Sequence, residues 1–299
     1  MTNHIPDKYV NPLTDFGFKK LFGSEPNKDL LIDFLNLFLP PKHTIKDLTY
    51  TKNEHLGETL LDRKAIFDIY CESITGEKFI VEVQKAKQTY FKDRSIYYAT
   101  FPVQEQAKRG DWNFKLAAVY TISILDFIFD DHQNDKNLLH FVELKNQDGH
   151  VFYDKLKFIY LELPKFKKTE KELETRFDKW LFVFRHLAEL QKRPKALQER
   201  VFEKLFEAAE IAKFTPAERE AYQSSLKYYR DIKNVVDTSK EEGLQEGREE
   251  GRQEGRQEGR QEGRQEGIGL VAKNMKEKGM SVTIISELTG LSEQEIEQL

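Results

Sequence analysis

Two acidic side chains in the first third of the chain, Asp68 and Glu82, are spaced so that they can act together. The residues between them are typical of two strands joined by a three-residue loop at 74–76, with Gly76 in the left-handed conformation. This connection pairs residues whose numbers sum to 150, so Asp68 lies opposite Glu82, and Gln84 follows on the same face. A two-residue loop would instead place the two carboxylates on opposite faces.

Paired carboxylates on an otherwise apolar sheet repel each other, and a divalent cation removes that cost. Carboxylate oxygens are ligands that Mg²⁺ or Mn²⁺ prefers. Such a cation can bind a scissile phosphate and lower the pKa of a bound water molecule, while Gln84 orients the water or the phosphate. An Asp followed by Glu-x-Gln is common, however, and the pattern alone favours an edge hairpin whose polar side chains face solvent.

The basic residues that follow the hairpin are a second candidate feature. Residues 85–115 contain seven Lys and Arg against three Asp and Glu. Residues 1–239 are almost neutral, with 38 basic and 37 acidic residues, whereas residues 240–299 hold 9 basic and 14 acidic residues. A local positive patch can face nucleic-acid phosphates, and a solvated helix face explains it equally well. The patch residues nearest the hairpin are Lys85, Lys87, Lys92 and Arg94.

The composition predicts a folded protein of about two domains, because the 299 residues are 39% hydrophobic and 12% aromatic. Cys71 is the one cysteine, which excludes an intramolecular disulfide. The residues His132, His140 and His150 are spaced too widely to form a recognisable metal set. No secretory signal is visible at the start, and the longest uncharged stretches are about half a membrane span. We therefore expect a cytoplasmic protein with no membrane contact.

The elements that must position the two carboxylates are a mixture of helices and strands. A first helix begins with Thr14 as its cap and ends at Gly23, and a second covers about residues 27–39. Strands are predicted at 44–51, 64–73, 78–84, 114–125, 139–144 and 151–161, with a basic helix at 92–108. Residues 169–231 are predicted to be helical and to form a packing module that carries no chemical motif.

Glycine recurs at every fourth position from Gly243 to Gly267, mostly as Gly-Arg-Gln-Glu. Each interior glycine costs a helix about 1 kcal/mol, so local propensity favours a flexible, solvated spacer. Two such helices side by side can instead pair Arg with Glu across a glycine-lined contact, which predicts a homo-oligomer. Residues 281–299 resemble part of a helix-turn-helix that turns at Gly290, but they contain no Lys or Arg. The lack of basic residues favours an interaction tail over a DNA-recognition element.

Several of these features together resemble the PD-(D/E)xK nuclease superfamily, in which an acid on one strand and (D/E)-x-K on the next hold a metal ion. More narrowly, the chain is similar to the Rpn family of recombination-promoting nucleases, described as PD-(D/E)xK transposase-like proteins. The resemblance rests on Thr14-Asp-Phe-Gly-Phe-Lys-Lys-Leu-Phe22, Phe67-Asp68, Val81-Glu-Val-Gln84, Arg94, Tyr97-Tyr98, Gln104, Gly110 and the glycine repeat. It covers residues 8–165 and implies a restriction-endonuclease-like α/β domain there. The sequence pattern adds a helical module at 166–238, the repeat at 239–267 and a short helical tail at 268–299.

The resemblance also implies roles for individual residues. Asp68 and Glu82 would hold Mg²⁺ or Mn²⁺, and Gln84 stands where the family has its lysine, although glutamine supplies neither charge nor proton. Asp15 would add an acidic contact at the site, or it is simply a first-turn acid of its helix. The missing positive charge would come from Lys64 or Lys85.

Strand alternation favours Lys64, because it lies four residues before Asp68 and therefore on the same face, whereas Lys85 is on the other face from Gln84. Arg94 would face phosphate from the following helix, or it lies on that helix's solvated surface. The expected function is a metal-dependent DNA endonuclease linked to recombination or mobile elements. The alternative is a catalytically weak DNA-binding or assembly protein that retains the nuclease fold.

Overall fold

The computed structural model of the chain describes residues 7–40, 43–52, 54–55, 65–107 and 113–299. The predicted site residue Lys64 lies outside these ranges. Contacts divide the chain into two units, Met1–Asn234 and Val235–Leu299, and each has its own hydrophobic core. None of the helices in the described ranges combines the length and the apolar character needed to span a bilayer.

The first unit is built on a mixed six-stranded sheet. The strands are β1 Leu48–Tyr50, β2 Glu54–His55, β3 Ala65–Ile66, β4 Ile69–Ser73, β5 Lys78–Gln84, β6 Val119–Leu125, β7 Leu139–Lys145 and β8 Val151–Glu162. Their order in the sheet is β1-β4-β5-β6-β8-β7, while β2 and β3 form a separate two-stranded ribbon. The pairs β5/β6 and β6/β8 are parallel and the other pairs are antiparallel. A mixed central sheet confirms the predicted fold class.

The β4–β5 hairpin has the predicted register. Ile69 pairs with Val81 and Glu72 with Lys78, so the residue numbers of each pair sum to 150. The loop turns at Gly76, whose φ of 94° lies in the left-handed region that favours glycine. The turn therefore sets which face of the sheet the side chain of every β5 residue occupies.

The helices of the first unit largely follow the sequence pattern. They are α1 Asp15–Phe22, α2 Lys28–Leu35, α3 Phe91–Gln104, α4 Arg176–His186, α5 Arg200–Ala209 and α6 Pro216–Glu277, the last of which continues into the second unit. Thr14 caps α1 as predicted, because its hydroxyl accepts a hydrogen bond from the Gly17 backbone N–H at 3.0 Å. Helix α2 ends four residues before the predicted Leu39. There the Asn36 amide exchanges two hydrogen bonds with the Ile45 backbone, at 2.7 and 3.0 Å, and this pairing turns the chain.

Helices cover both faces of the sheet. On one face, strand residues such as Val81 and Ile122 share a core with Trp180 and with the other buried residues of α1, α2, α4 and α5. Helices from the predicted 166–238 module thus pack in the same core as the sheet. On the other face, α3 packs over Tyr70, Ile80 and Tyr160, and this face also carries Glu82 and Gln84.

The glycine repeat is helical in the structure, since α6 runs through every glycine from Gly243 to Gly267. The flexible spacer favoured by local propensity is therefore not observed. The intervening Arg, Gln and Glu residues are good helix formers, and each end of α6 is fixed by buried residues, Tyr222 near one end and Ala272 near the other.

The second unit places two short helices, α7 Val282–Thr289 and α8 Glu293–Gln298, against the end of α6. Its core consists of Ala272, Ile285 and Ile296, with partly buried apolar neighbours. The chain turns between α7 and α8 at Gly290, whose φ is 76°. The predicted pair of short helices turned at this glycine is confirmed.

Candidate metal-binding active site

The hairpin brings Asp68 and Glu82 together as the sequence predicts. Asp68 lies directly before β4, and its Oδ2 accepts a hydrogen bond from the backbone N–H of Val83 at 2.8 Å. That bond holds the Asp68 carboxylate against strand β5 beside Glu82. The Glu82 side chain carries a carboxylate, yet it is only 5% exposed and lies in a sheet rich in apolar residues. Two carboxylates therefore share a poorly solvated site.

The environment raises the pKa of both carboxyl groups. Burial and then the charge of Asp68 raise the pKa of Glu82 to about 8, while Arg94 opposes the shift. Burial also raises the pKa of Asp68, against the hydrogen bond from Val83. A cation in contact with both carboxylates favours their ionised forms and therefore lowers both pKa values. Two such carboxylates are a donor set that suits Mg²⁺ or Mn²⁺.

Arg94 brings positive charge to these carboxylates from helix α3. Its Nη2 lies 3.7 Å from Glu82 Oε2 and donates a hydrogen bond to Gln84 Oε1 at 2.7 Å. Its Nη1 donates to Gln88 Oε1 at 2.6 Å, and the guanidinium lies over the ring of Tyr98 at 5.5 Å. The Arg94 Nε is buried and has no hydrogen-bond partner among the described residues. The guanidinium is thus held in the site with one donor to spare.

Gln84, which stands at the position of the family lysine, is engaged at both ends of its amide. The carbonyl oxygen accepts from Arg94, and Nε2 donates to the backbone oxygen of Ala86 at 2.8 Å. Gln84 therefore holds Arg94 in place. The sequence pattern identified both residues but not the bond between them.

Lys85 lies at the end of β5, where helix α6 covers the strand. Its Nζ lies 4.9 Å from the centre of the Tyr229 ring and 5.4 Å from that of Tyr228. Burial lowers the pKa of Lys85, against the charges of Asp15, Asp68 and Asp126. The ammonium group is therefore within electrostatic reach of Asp68. The two tyrosines lie in a segment in which the sequence showed no chemical motif, and only the tertiary fold brings them here.

Asp15 lies on α1 and is exposed, forming an ion pair with Lys19 at 2.7 Å. The charge of Asp15 nevertheless raises the pKa of Asp68, and the charge of Lys19 lowers the pKa of Asp68. Both effects are smaller than the effect of burial. Asp15 and Lys19 thus belong to the electrostatic surroundings of the carboxylate pair. Lys19 was not among the residues singled out from the sequence.

The remaining predicted contacts, Lys87 and Lys92, are exposed and paired with acids. Lys87 forms an ion pair with Asp130, and Lys92 one with Asp131 at 2.6 Å. Both acids lie on the short 3₁₀ helix Asp130–His132, in the connection between β6 and β7. Exposed pairs of this kind contribute about 0–1 kcal/mol, so an incoming phosphate can displace the acids.

Two of the three histidines, whose wide spacing gave no recognisable metal set, lie close together in the structure. The structure brings His132 and His140 to the same carboxylate, Glu162, while His150 is exposed elsewhere. Residues eight apart in sequence meet because the chain enters β7 beside the end of β8. Sequence spacing alone does not reveal that pairing.

A mixed sheet that holds two facing carboxylates under a helix bearing arginine defines a restriction-endonuclease-like α/β protein. The model of the PD-(D/E)XK nuclease family transposases matches residues 12–239, and the chain belongs to that family. The model of the Rpn/YhgA-like nuclease family C-terminal HTH domain matches residues 270–299, which confirms the helix-turn-helix resemblance. No curated protein and no solved structure matches the chain significantly.

The raised pKa of Glu82 predicts how the stability of the metal-free protein changes with pH. The folded state holds the Glu82 proton up to about pH 8, whereas an unfolded chain releases it at about pH 4.3. Stability from this group is therefore full below pH 4 and is lost as pH rises towards 8. In EDTA we expect the Tm at pH 8 to lie several degrees below that at pH 6, as measured by calorimetry.

Glu82→Gln should remove most of this decline, and Mg²⁺ should raise the Tm of the unmodified protein more at pH 8 than at pH 6. Glu220→Gln, which changes an exposed glutamate on α6, is the matched control and should leave the profile unchanged. A Tm decline of the same size in Glu82→Gln would contradict the assignment of the burial cost to Glu82.

Proposed function

We propose that the protein is a divalent-metal-dependent DNA endonuclease that hydrolyses phosphodiester bonds in recombination or in the movement of mobile elements. The observation that carries the proposal is the pair of half-buried Asp68 and buried Glu82, held beside the guanidinium of Arg94. Membership of the nuclease family supports it. The ion would be Mg²⁺ or Mn²⁺, held by Asp68 and Glu82, and it would supply an acidified water molecule and charge stabilisation at phosphate.

The residues around the ion would each have a distinct role. Asp68 and Glu82 provide negative charge that is costly to bury, so the site favours a cation over an empty state. Arg94 brings the positive charge of its guanidinium close to the carboxylate pair, where it stabilises the oxygens of a bound phosphate. Gln84 acts as a positioning residue, because its amide oxygen holds the Arg94 guanidinium at the edge of the carboxylate pair.

Arg94 thereby supplies the positive charge that glutamine at position 84 lacks. An arginine cannot give up its proton, so this arrangement stabilises charge without acting as a general acid. Lys85 is a basic group near Asp68, and because burial lowers its pKa it gives up a proton more readily than an exposed lysine does. If neither residue replaces the family lysine in function, the protein is a catalytically weak DNA-binding member of the fold.

The surface around Lys87 and Lys92 is the proposed DNA contact. It continues from the carboxylate pair along α3, and its lysines are opposed by Asp130 and Asp131 rather than by buried partners. Contacts of this kind go to phosphates, so binding should depend little on sequence. The C-terminal helix-turn-helix lacks Lys and Arg over residues 281–299, so we assign the main phosphate contact to the first unit.

The first test of function is nicking of supercoiled plasmid by purified protein. Activity should require Mg²⁺ or Mn²⁺, and Asp68→Ala or Glu82→Ala should lower the rate by orders of magnitude. Arg94→Ala should lower it at least tenfold, with Arg94→Lys between the two, because lysine keeps the charge but loses the bond geometry. Asp93→Asn, an exposed neighbour on α3, is the matched control and should remain active.

Full activity in EDTA or in Asp68→Ala would contradict the endonuclease assignment. DNA binding without nicking, unchanged by Mg²⁺ or Mn²⁺, would instead support the catalytically weak alternative.

DNA binding provides a second test, measured as affinity against salt concentration on two unrelated duplexes. Replacing both Lys87 and Lys92 with Gln should weaken binding to both duplexes alike. It should also flatten the slope of log affinity against log salt by about one to two units. Replacing Asp130 and Asp131 with Asn should strengthen binding, because the phosphates no longer compete with these acids. An unchanged slope in the lysine variant would place the contact surface elsewhere.

We further propose that the repeat brings copies of the chain together. The helix at residues 235–269 is exposed throughout almost its whole length, and a Cβ at any of its glycines would meet no atom within 4 Å. Seven interior glycines from Gly243 to Gly267 cost about 1 kcal/mol each, which packing against a second copy would offset. The exposed apolar residues Leu270 and Leu288 lie beyond the repeat and extend such a contact towards the C-terminus.

Light scattering tests this association. The full chain should give the mass of a dimer or larger oligomer, and a chain ending at residue 239 should give that of a monomer. Gly255→Leu with Gly259→Leu in the full chain should also weaken association, because the added side chains block close approach, whereas Ala at both positions should not. A monomeric full chain would overturn the proposal.

A further inference from the structure

A second group of ligand-type side chains lies at the end of β8, where Glu162 is 0% exposed. His132 Nδ1 lies 3.1 Å from Glu162 Oε1, and His140 Nε2 lies 3.2 Å from Glu162 Oε2. The two imidazole rings are stacked, with centroids 4.1 Å apart and planes at 25°. One ligand atom from each of the three residues fits within 4.8 Å of the others.

This cluster is separate from the carboxylate pair. Glu162 pairs in register with Leu125, which pairs in turn with Gln84, so Glu162 lies two strands away along the same face. Strands are spaced by about 4.8 Å, which puts Glu162 about 10 Å from Gln84 and further from Glu82 and Asp68. Their donor sets also differ, because imidazole nitrogens suit late first-row metals and an all-carboxylate set suits Mg²⁺.

Each imidazole faces a carboxylate on both sides. The far nitrogen of His140, Nδ1, lies 3.7 Å from Asp135 Oδ2, and that of His132, Nε2, lies 4.0 Å from Asp131 Oδ2. A neutral imidazole has one N–H, so it can donate to one of its two carboxylates, and its other nitrogen presents a lone pair. If the N–H groups point to the aspartates, two lone pairs and the Glu162 carboxylate face one another, and a cation is needed between them.

Carboxylates behind metal-bound histidines commonly fix the tautomer and the direction of the ring. Asp135 and Asp131 lie behind the two rings here at 3.7 and 4.0 Å, which is beyond hydrogen-bond distance, so they favour the outward N–H by their charge. Glu162 is suited to the role as well. Its two oxygens face the two imidazoles separately, Oε1 towards His132 and Oε2 towards His140.

The charges also leave room for a cation. Lys165 Nζ lies 2.6 Å from Glu162 Oε2, and Lys92 pairs with Asp131, whereas Asp135 faces His140 with no lysine paired to it in the described part of the chain. Neutral imidazoles therefore leave the group with one excess negative charge.

We propose that His132, His140 and Glu162 form a binding site for a zinc-class divalent ion, distinct from the Mg²⁺ or Mn²⁺ site at Asp68 and Glu82. The ligand set of two histidines and one glutamate is one that zinc proteins use, and water completes the coordination. The bound ion would fix the β6–β7 connection to the end of β8. That connection carries Asp130 and Asp131, so the ion would also hold the acids that oppose Lys87 and Lys92.

Calorimetric titration of the full chain tests the site, after chelator treatment and in excess Mg²⁺. One Zn²⁺ should bind per chain, and binding should persist in Asp68→Ala with Glu82→Ala. It should be lost in His132→Ala with His140→Ala and retained in His150→Ala, the exposed control. Asp135→Asn should weaken Zn²⁺ binding by roughly 10- to 100-fold, which a purely structural hydrogen-bond network would not predict.

Co²⁺ gives an independent readout, because a histidine-ligated tetrahedral ion absorbs visible light. The absorption should appear in the unmodified protein and be absent from His140→Asn, a milder change used if the double alanine variant does not fold by circular dichroism. No Zn²⁺ bound by the folded protein, or binding unchanged in the histidine variants, would overturn the proposal. Loss of Zn²⁺ binding in the Asp68→Ala and Glu82→Ala variant would also overturn the proposal. The plasmid-nicking assay in Mg²⁺ tests the endonuclease proposal independently of this site.

Discussion

The arrangement of the first unit depends on the burial of two like charges on one face of a sheet. Asp68 and Glu82 meet because the 74–76 loop sets the register of β4 against β5, and a shift of one residue would move one of them into the opposite core. Burial of both carboxylates costs stability, and the surrounding residues reduce that cost. The Val83 backbone N–H binds one carboxylate, and Arg94 lies beside the other.

The parts of this site that follow from the sequence are those that depend on local geometry. The turn at Gly76 and strand alternation predicted the facing carboxylates, and Thr14 predicted the start of α1. The bond between Gln84 and Arg94 was not predictable, because it depends on where α3 lands on the sheet. Lys85 illustrates the same limit. Strand alternation assigns its Cβ to one face, but it cannot show that the ammonium group lies beside tyrosines that are more than 140 residues away in sequence.

Contacts between distant segments account for the other differences. His132 and His140 converge on Glu162 through the pairing of β7 with β8, a relation that spacing along the chain does not encode. The glycine repeat shows the opposite case, in which a local rule gave the wrong answer. Its per-residue cost is real, but a helix fixed at both ends and rich in Arg, Gln and Glu remains helical over that length.

The placement of Arg94 on a helix, while the carboxylates lie on strands, links the electrostatics of the site to local unfolding. Helix α3 is held to the sheet by residues such as Phe91 and Ala99, and it contains Pro102, which removes one of its internal hydrogen bonds. Detachment of α3 from the sheet would take the Arg94 guanidinium away from the two carboxylates. The free energy of this sub-global opening therefore sets the fraction of molecules in which the charge arrangement is complete.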